Sequence, residues 1–381
     1  MVAQVHKSAS MAESRRAICV AEDRKSCEHA LKLLLISLSR HNAGTPVVVF
    51  YPPADQTLID WIRTLDFENI SVRTTWPRGA LGWNIKPHKM LDLLNEGHHE
   101  VLWIDSDVLA TKNVFVALGE LQDDTLVAAE ECLQNQNETK ALRARLWGFS
   151  VKREFPFPLN SGVMRVTQAH VPLLARWKEL LESPKYQDAQ RQPMSARPRH
   201  MFSDQDVLTA LLCSEGFHNI PVKVLRRGYD IIQYYGEMGF TLAERTICLL
   251  KGMPTFLHQQ GSKPWHADPH EKLKGLRGRF VTAYLDLSPY TTVAVGLIAM
   301  PIYPWMRPRS KFSAILRAIG LGCPPLTGLP LAVVFDLERL ARLPRRLVRV
   351  LVDALYPKMF VPLRARRRAR ELNGRLTKIS D

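Results

Sequence analysis

The chain has 381 residues, 46% hydrophobic and 23% charged, which excludes a largely disordered protein and suits one large α/β domain with an appendage, or two domains. Its six cysteines (Cys19, Cys27, Cys132, Cys213, Cys248, Cys323) are scattered, mostly in apolar contexts and with no CxxC pair, so they read as buried free thiols of a reducing compartment. The net charge of +15 is uneven: from Leu287 to Asp381 there are 17 Lys and Arg against 5 Asp and Glu, so a basic tail on a near-neutral domain points to an anionic surface, lipid or nucleic acid.

Residues 1–16 are polar and mixed in charge, carry no secretory signal and read as a flexible N-terminus, which places the protein in the cytoplasm. From Ala17 short β-like runs alternate with helical periodicity: a strand over Ala17–Ala21, a helix through Leu31–Leu38, a strand over Pro46–Tyr51, a helix around Leu58–Leu65 and a strand over Ile70–Thr74. A helix over Lys86–Leu94 follows, then strands at Val101–Ile104 and Leu126–Ala129. The alternation predicts an α/β fold with a mostly parallel, Rossmann-like sheet covered by helices on both faces and a ligand site at the carboxyl ends of the strands. After a helical pattern at Leu173–Leu181, the stretch Gln187–His200 lacks periodicity and reads as a loop, either a lid or a solvated insertion.

Beyond Leu285 the composition changes. Leu287–Met306 and Ala318–Phe335 contain no charged residue, yet each holds three prolines that would break a simple transmembrane helix. They are expected to lie shallowly at an interface or to pack on the preceding domain. Phe312, Ile315, Leu316 and Ile319 follow helical spacing. Leu340, Leu343, Leu347 and Leu351 do so too, interleaved with Arg339, Arg342, Arg345, Arg346 and Arg349. Such a basic, mainly helical extension over residues 286–381 suits peripheral attachment to the cytoplasmic face of an anionic membrane, or packing with a solvated arginine face. The cluster Arg364–Arg370 lacks interleaved aromatics, which makes nucleic acid the weaker partner.

Val101-Leu102-Trp103-Ile104-Asp105-Ser106-Asp107 is an apolar run that ends in two carboxylates one residue apart. It reads as a buried strand delivering hard oxygen ligands for Mg²⁺ or Mn²⁺ at its carboxyl end, or as acids that cap a turn. Downstream come Asn160-Ser161-Gly162, then Ser203-Asp204-Gln205-Asp206, then His258-Gln259-Gln260-Gly261-Ser262-Lys263-Pro264-Trp265. In that order the four segments resemble the retaining glycosyltransferases of the glycogenin and bacterial lipopolysaccharide galactosyltransferase type, glycosyltransferase family 8-like, over roughly Ala17 to Leu285.

The resemblance implies a GT-A nucleotide-diphospho-sugar transferase fold over residues 17–285. It also implies a hexosyltransferase that uses Mn²⁺ or Mg²⁺, a UDP-sugar donor and a saccharide, glycolipid or protein acceptor, with retention at the anomeric carbon. On that resemblance Asp105, Asp107 and His258 hold the metal, with Ser106 between the acids. Gly261 lets the backbone approach the diphosphate, and Lys263 places a charge on it, one residue earlier after the histidine than the family pattern has it. A further lysine before the strand is Lys89 by spacing or Lys86 as the alternative. Ala21, Glu22 and Asp23 sit where the family grips the nucleoside, although acids there also cap helices. Asn160, Asp204 and Gln205 match positions that bind the sugar's hydroxyls, and Phe155-Pro156-Phe157-Pro158 stands where an acid often precedes the Asn. Two rivals remain at this point. A nucleotidyltransferase on a related sheet would carry a glycine-rich loop after the first strand, whereas Ala21–Lys25 has no glycine. A non-catalytic membrane-binding scaffold would not need the three metal ligands.

Overall fold

The computed structural model describes residues 16–65, 69–77, 82–131, 141–236, 239–261, 263–265, 275–298 and 303–341. In chain order the first half comprises β1 (Arg16–Ala21), α1 (Glu28–His41), β2 (Val47–Phe50), α2 (Gln56–Arg63), β3 (Ile70–Arg73), α3 (Lys86–Asn95), β4 (Glu100–Ile104), β5 (Val108–Ala110), α4 (Val114–Leu118), β6 (Leu126–Glu130) and α5 (Leu142–Trp147). Then follow β7 (Leu159–Thr167), α6 (Val171–Glu182), α7 (Pro184–Gln190), α8 (Asp204–Cys213), β8 (Val222–Leu225), β9 (Ile231–Tyr234), α9 (Leu242–Lys251) and β10 (Phe256–Gln259). The last labelled helices are α10 (Gly275–Asp286), α11 (Pro289–Leu297) and α12 (Lys311–Ile319).

Seven strands form one sheet in the order β3-β2-β1-β4-β7-β6-β8. β1, β2, β3 and β4 are parallel and β8 is parallel to β6, while β7 runs against both of its neighbours. The expected α/β architecture with a mostly parallel sheet is therefore present. Alternate residues of each central strand enter opposite cores: Val101 and Trp103 join one apolar cluster, Leu102 and Ile104 the other. Met90, Leu93 and Leu94 of α3 cover the first face, and Leu31, Leu34 and Leu38 of α1 the second. Burial on both faces explains why β4 reads as an unbroken apolar run from Val101 to Ile104 rather than an alternating one. A second sheet, β5-β10-β9, pairs β5 antiparallel to β10.

Local signals agree with these elements. Asp55 accepts the Leu58 N–H at the start of α2, and Thr241 with Glu244 forms a capping box on α9. His170 closes a similar box after β7: its Nδ1 accepts the Thr167 N–H at 3.0 Å, and its Nε2 lies 3.0 Å from the Asp124 carbonyl, which can only accept. Burial, ahead of the neighbouring charges, pushes His170 down from its ordinary 6.5 to about 4. The unfolded chain takes up this proton near 6.5, and the folded protein does so only near 4. The stabilising contribution is whole above the upper value and falls as pH drops through that window, by about 3 kcal/mol. Chemical denaturation at several pH values should show this slope flattened in His170→Gln, and equal slopes would refute the assignment.

Two of the expected features differ. The compact unit runs to Leu329, not Leu285. Proline-broken and uncharged, the segment after Leu285 forms short helices whose Tyr290, Thr291 and Ala294 are buried, and α11 packs on α1 and β10. Gln187–His200 is also not plain loop: α7 extends into it, capped by Ser183 with Pro184 at its first turn, and 3₁₀ turns follow at Met194–Ala196 and Arg199–Met201. A second unit begins at Pro330, where residues 330–341 are helical. The leucine and arginine pattern past Ala341, the cluster Arg364–Arg370, Cys132 and most of the N-terminal segment lie outside the described residues. Cys19, Cys27, Cys213 and Cys248 are buried free thiols. Among the described residues no helix is long and apolar enough to cross a membrane.

Candidate functional site

The path of the chain after β4 brings the site together. Asp105 leaves the strand with its N–H on the Gly162 carbonyl at 2.8 Å, and a turn closed by Val108 N–H on Asp105 O throws the chain into β5 of the second sheet. There Val108 faces His258 across the β5–β10 pairing, and Gln259 N–H donates to the Asp107 carbonyl at 3.0 Å. Residues about 150 positions apart are thus neighbours. His258 Nε2 lies 3.3 Å from Asp107 Oδ1 and 4.0 Å from Asp105 Oδ2, and one ligand atom from each of the three falls within 4.8 Å of the others. Those separations are within reach of one cation, since ligands about 2.0–2.2 Å from a metal lie about 3 Å apart as neighbours and about 4 Å apart across it. Two hard carboxylates and one imidazole form a donor set that Mn²⁺ accepts more readily than Mg²⁺. The residues therefore fit a divalent cation.

Gly162 is what lets the imidazole reach this position. A Cβ placed there would stand 2.4 Å from His258 Cε1 and 2.9 Å from its Nδ1. Gly162→Ala is expected to push His258 off the carboxylates and to raise the Mn²⁺ concentration needed for half-saturation by about tenfold or more, readable by metal titration. Unchanged metal affinity would show that His258 is not a ligand.

Positive charge is gathered beside the acids. Lys263 Nζ donates to Asp107 and to the Gln259 carbonyl. Burial opposes ionisation of Asp107, yet the Lys263 ammonium and His258 hold its carboxyl well below the usual carboxylate range. Lys86, the first residue of α3, is 3% exposed and donates to Ser161 Oγ at 2.8 Å, with Asp105 at 3.1–3.2 Å and Asp204 at 3.6 Å. Burial works against its charge, but Asp105 and Asp204 raise it above the usual lysine value. Asp204 is raised as well, but toward its neutral form: burial holds its carboxyl above the usual range, and the ammonium, closer to Asp105, offsets this only in part.

Beside these charges are polar groups of a size to meet hydroxyls. Asn160 Nδ2 donates to Glu131 Oε2 at 2.9 Å and to Gln205 Oε1 at 3.0 Å, and Gln205 Nε2 donates to the same Glu131 oxygen at 2.6 Å. Asp204 accepts from Ser161 Oγ at 2.7 Å. Near β1, Ser106 Oγ donates to Glu22 at 2.6 Å and Arg24 pairs with both Glu22 oxygens, so Glu22 is an internal tie. Asp23 accepts the Gly82 N–H. All of this surrounds a cavity of about 1040 Å³.

Ala21, Glu22, Asp23, Lys86, Asp105, Ser106, Asp107, Gln205, Gly261 and Lys263 line that cavity, and Asn160, Asp204 and His258 are buried beside it, hydrogen-bonded or ion-paired to lining groups. Lys89 is the exception. Three residues along α3 its side chain leaves at another angle, so that Nζ pairs with Asp92 at 2.9 Å over the Phe50 ring. Of the two lysines weighed, Lys86 is the one at the site. Glu131, Trp83, Arg199, Phe202 and Tyr235 line the cavity without having been singled out. Glu131 had a readable signal: with Glu130 it closes the apolar run Leu126–Ala129.

No family model matches the chain, and no curated protein does. Among solved structures it is similar to the glycosyltransferase GlyE of Streptococcus pneumoniae TIGR4 (16% identity, 74% of this chain and 63% of that one, TM-score 0.42). It is also similar to the bifunctional glycosyltransferase WbbM (12%, 77% and 51%, TM-score 0.45) and to an active-site mutant of LgtC (15%, 70% and 94%, TM-score 0.40). The chain thus spans less than two thirds of GlyE and about half of WbbM. Likenesses of this size carry no weight in assigning a function.

Proposed function

We propose that the protein is a metal-dependent GT-A glycosyltransferase that moves a hexose from a nucleoside-diphosphate sugar, most simply a UDP-sugar, to a saccharide, glycolipid or protein acceptor. The observation that carries the reading is the convergence of Asp105, Asp107 and His258 with two lysines beside a cavity that the Glu131–Asn160–Gln205 network also borders. A nucleoside-diphosphate sugar needs cationic groups for its diphosphate and polar groups for its sugar hydroxyls. The cation held by the two aspartates and the histidine would draw off the charge that builds on the departing diphosphate. Lys263 adds a point charge beside the same acids, and Lys86 holds Asp105 in place. Gln205, Asn160 and Asp204 present planar polar groups to the sugar hydroxyls. Gly82, Trp83 and Asp23 bound the end nearest β1, where the nucleoside would lie.

Retention belongs to the proposal. Asp204 is engaged by Ser161 and Lys86, Gln205 is an amide, and Glu131 Oε2 accepts from two amides, which spreads its charge. That favours departure and attack on one face of the sugar, with the leaving phosphate taking the acceptor's proton. The test is to incubate the full chain with a panel of UDP-sugars and Mn²⁺, with and without chelator. Chelator-sensitive UDP release from at least one donor is expected. If none is bound or hydrolysed, the reading is wrong.

An anionic membrane surface is the proposed setting of the acceptor. Helix α12 buries Ser313 and Leu316 and exposes Phe312, Ile315 and Ile319, with Leu321 just beyond and Lys311 at its start, an arrangement suited to the lipid interface. Cosedimentation with anionic vesicles should weaken as salt rises, since the Debye length shrinks, and should drop in F312S/I315S. Equal binding to uncharged vesicles defeats this part of the proposal.

A further inference from the structure

The turn that carries Lys263 leaves β10 after Gln259 and delivers the ammonium back to Asp107 within four residues. On its near side Gly261, at φ 65°, lies so close to the Tyr235 ring that a Cβ would stand 2.5 Å from it. Its far side is held by residues that follow α10, a part of the chain the proposed chemistry does not otherwise use. The Trp265 ring packs 5.7 Å from Tyr290 of α11 and 5.8 Å from Trp305. The Pro264 carbonyl accepts from Arg309 Nη2 at 2.9 Å. Arg309 is itself fixed: its Nε is ion-paired with Asp286 Oδ1 at 3.1 Å, and its backbone N–H donates to Asp286 Oδ2 at 3.0 Å. Asp286 is 2% exposed and also accepts from Ser313 Oγ.

We propose that Arg309 is a positioning residue for Lys263: anchored on Asp286, it grips the Pro264 carbonyl and, with Tyr290 and Trp305 against Trp265, holds the turn so that the ammonium meets the anionic end of the cavity. A lysine has four rotatable bonds, so its value as a point charge depends on where its backbone is pinned. The functional half rests on reading Lys263 as a diphosphate ligand. The structural half does not.

The test uses the full chain with R309A and R309K, each in the wild-type and K263A backgrounds. Hydrogen exchange is followed in the peptide covering residues 257–265, and Mn²⁺-dependent binding of UDP and of UMP is measured by calorimetry. R309A should speed exchange in that peptide about tenfold, leave β4 and β7 protected, and weaken UDP about tenfold while changing UMP little. R309K should recover part of the loss, because an ammonium reaches one acceptor where the guanidinium reaches two. In the K263A background R309A should add nothing, since the two changes act through one group. Unchanged exchange in R309A overturns the proposal, and so does an equal loss of UDP affinity with and without Lys263, which would make Arg309 a staple of the fold alone. If R309A does not fold, R309Q carries the same comparisons. A wild-type protein that binds no UDP would sink the glycosyltransferase reading, while the exchange measurement still decides the clamp.

Discussion

Asp107→Ala is expected to lower metal-stimulated UDP release by about a thousandfold or more, a loss of the size seen when a group that stabilises developing charge is removed. The carboxylate has two tasks: Oδ1 faces the imidazole of His258, and Oδ2 accepts from Lys263. Burial favours its neutral form, but the ammonium and His258 keep it ionised far into the acid range, so a hard anionic ligand is present at any working pH. Removing it takes away a metal ligand and leaves the Lys263 ammonium without its counter-charge. Asp107→Asn keeps the volume and loses the charge, so it should be nearly as impaired, and Mn²⁺ titration should show half-saturation at much higher concentration in both. Release within about tenfold of wild type in Asp107→Ala would remove the metal from the account.

Lys86→Met is expected to cost about 3 kcal/mol of stability near neutral pH, the order found when one partner of a buried ion pair is deleted. The ammonium is 3% exposed and touches Asp105, Asp204 and Ser161, so its loss strands Asp204, also 3% exposed, with the Ser161 hydroxyl and the Gln205 backbone N–H as donors to its carboxylate but no counter-charge beside it. Burial already raises Asp204, and without Lys86 it should rise further. An acid whose folded value lies above its unfolded value is stabilising where it is protonated. The deficit of Lys86→Met should therefore shrink as pH falls and grow as pH rises through the raised value. Chemical denaturation of both proteins across pH 4.5 to 8 checks the sign. A deficit independent of pH would mean that Asp204 does not depend on Lys86. The same variant should loosen Asp105, since among the described residues the Trp103 Nε1 bond at 2.7 Å and the backbone would be left to hold it.

What the chain discloses when read alone follows from short-range periodicity. The unbroken run from Val101 to Ile104 signals a strand buried on both faces, and a pair of acids directly after such a strand must appear at its carboxyl end. Asn160-Ser161-Gly162 and Asp204-Gln205 stood out by their resemblance to a family pattern instead, which works because each is a contiguous motif on one element, β7 or α8. What stayed hidden depends on contacts between distant residues. Whether Lys86 or Lys89 serves the site is set by the angle at which α3 packs on the sheet. Glu131 joins Asn160 and Gln205 only because β6 lies beside β7. The domain does not stop at Leu285, since the uncharged stretch beyond it is apolar enough to cover β10 and α1, and composition cannot say which surface an apolar face will choose. Above all, His258 meets Asp107 through the antiparallel pairing of β5 with β10, a register that follows from how the second sheet docks, not from any local preference along the chain.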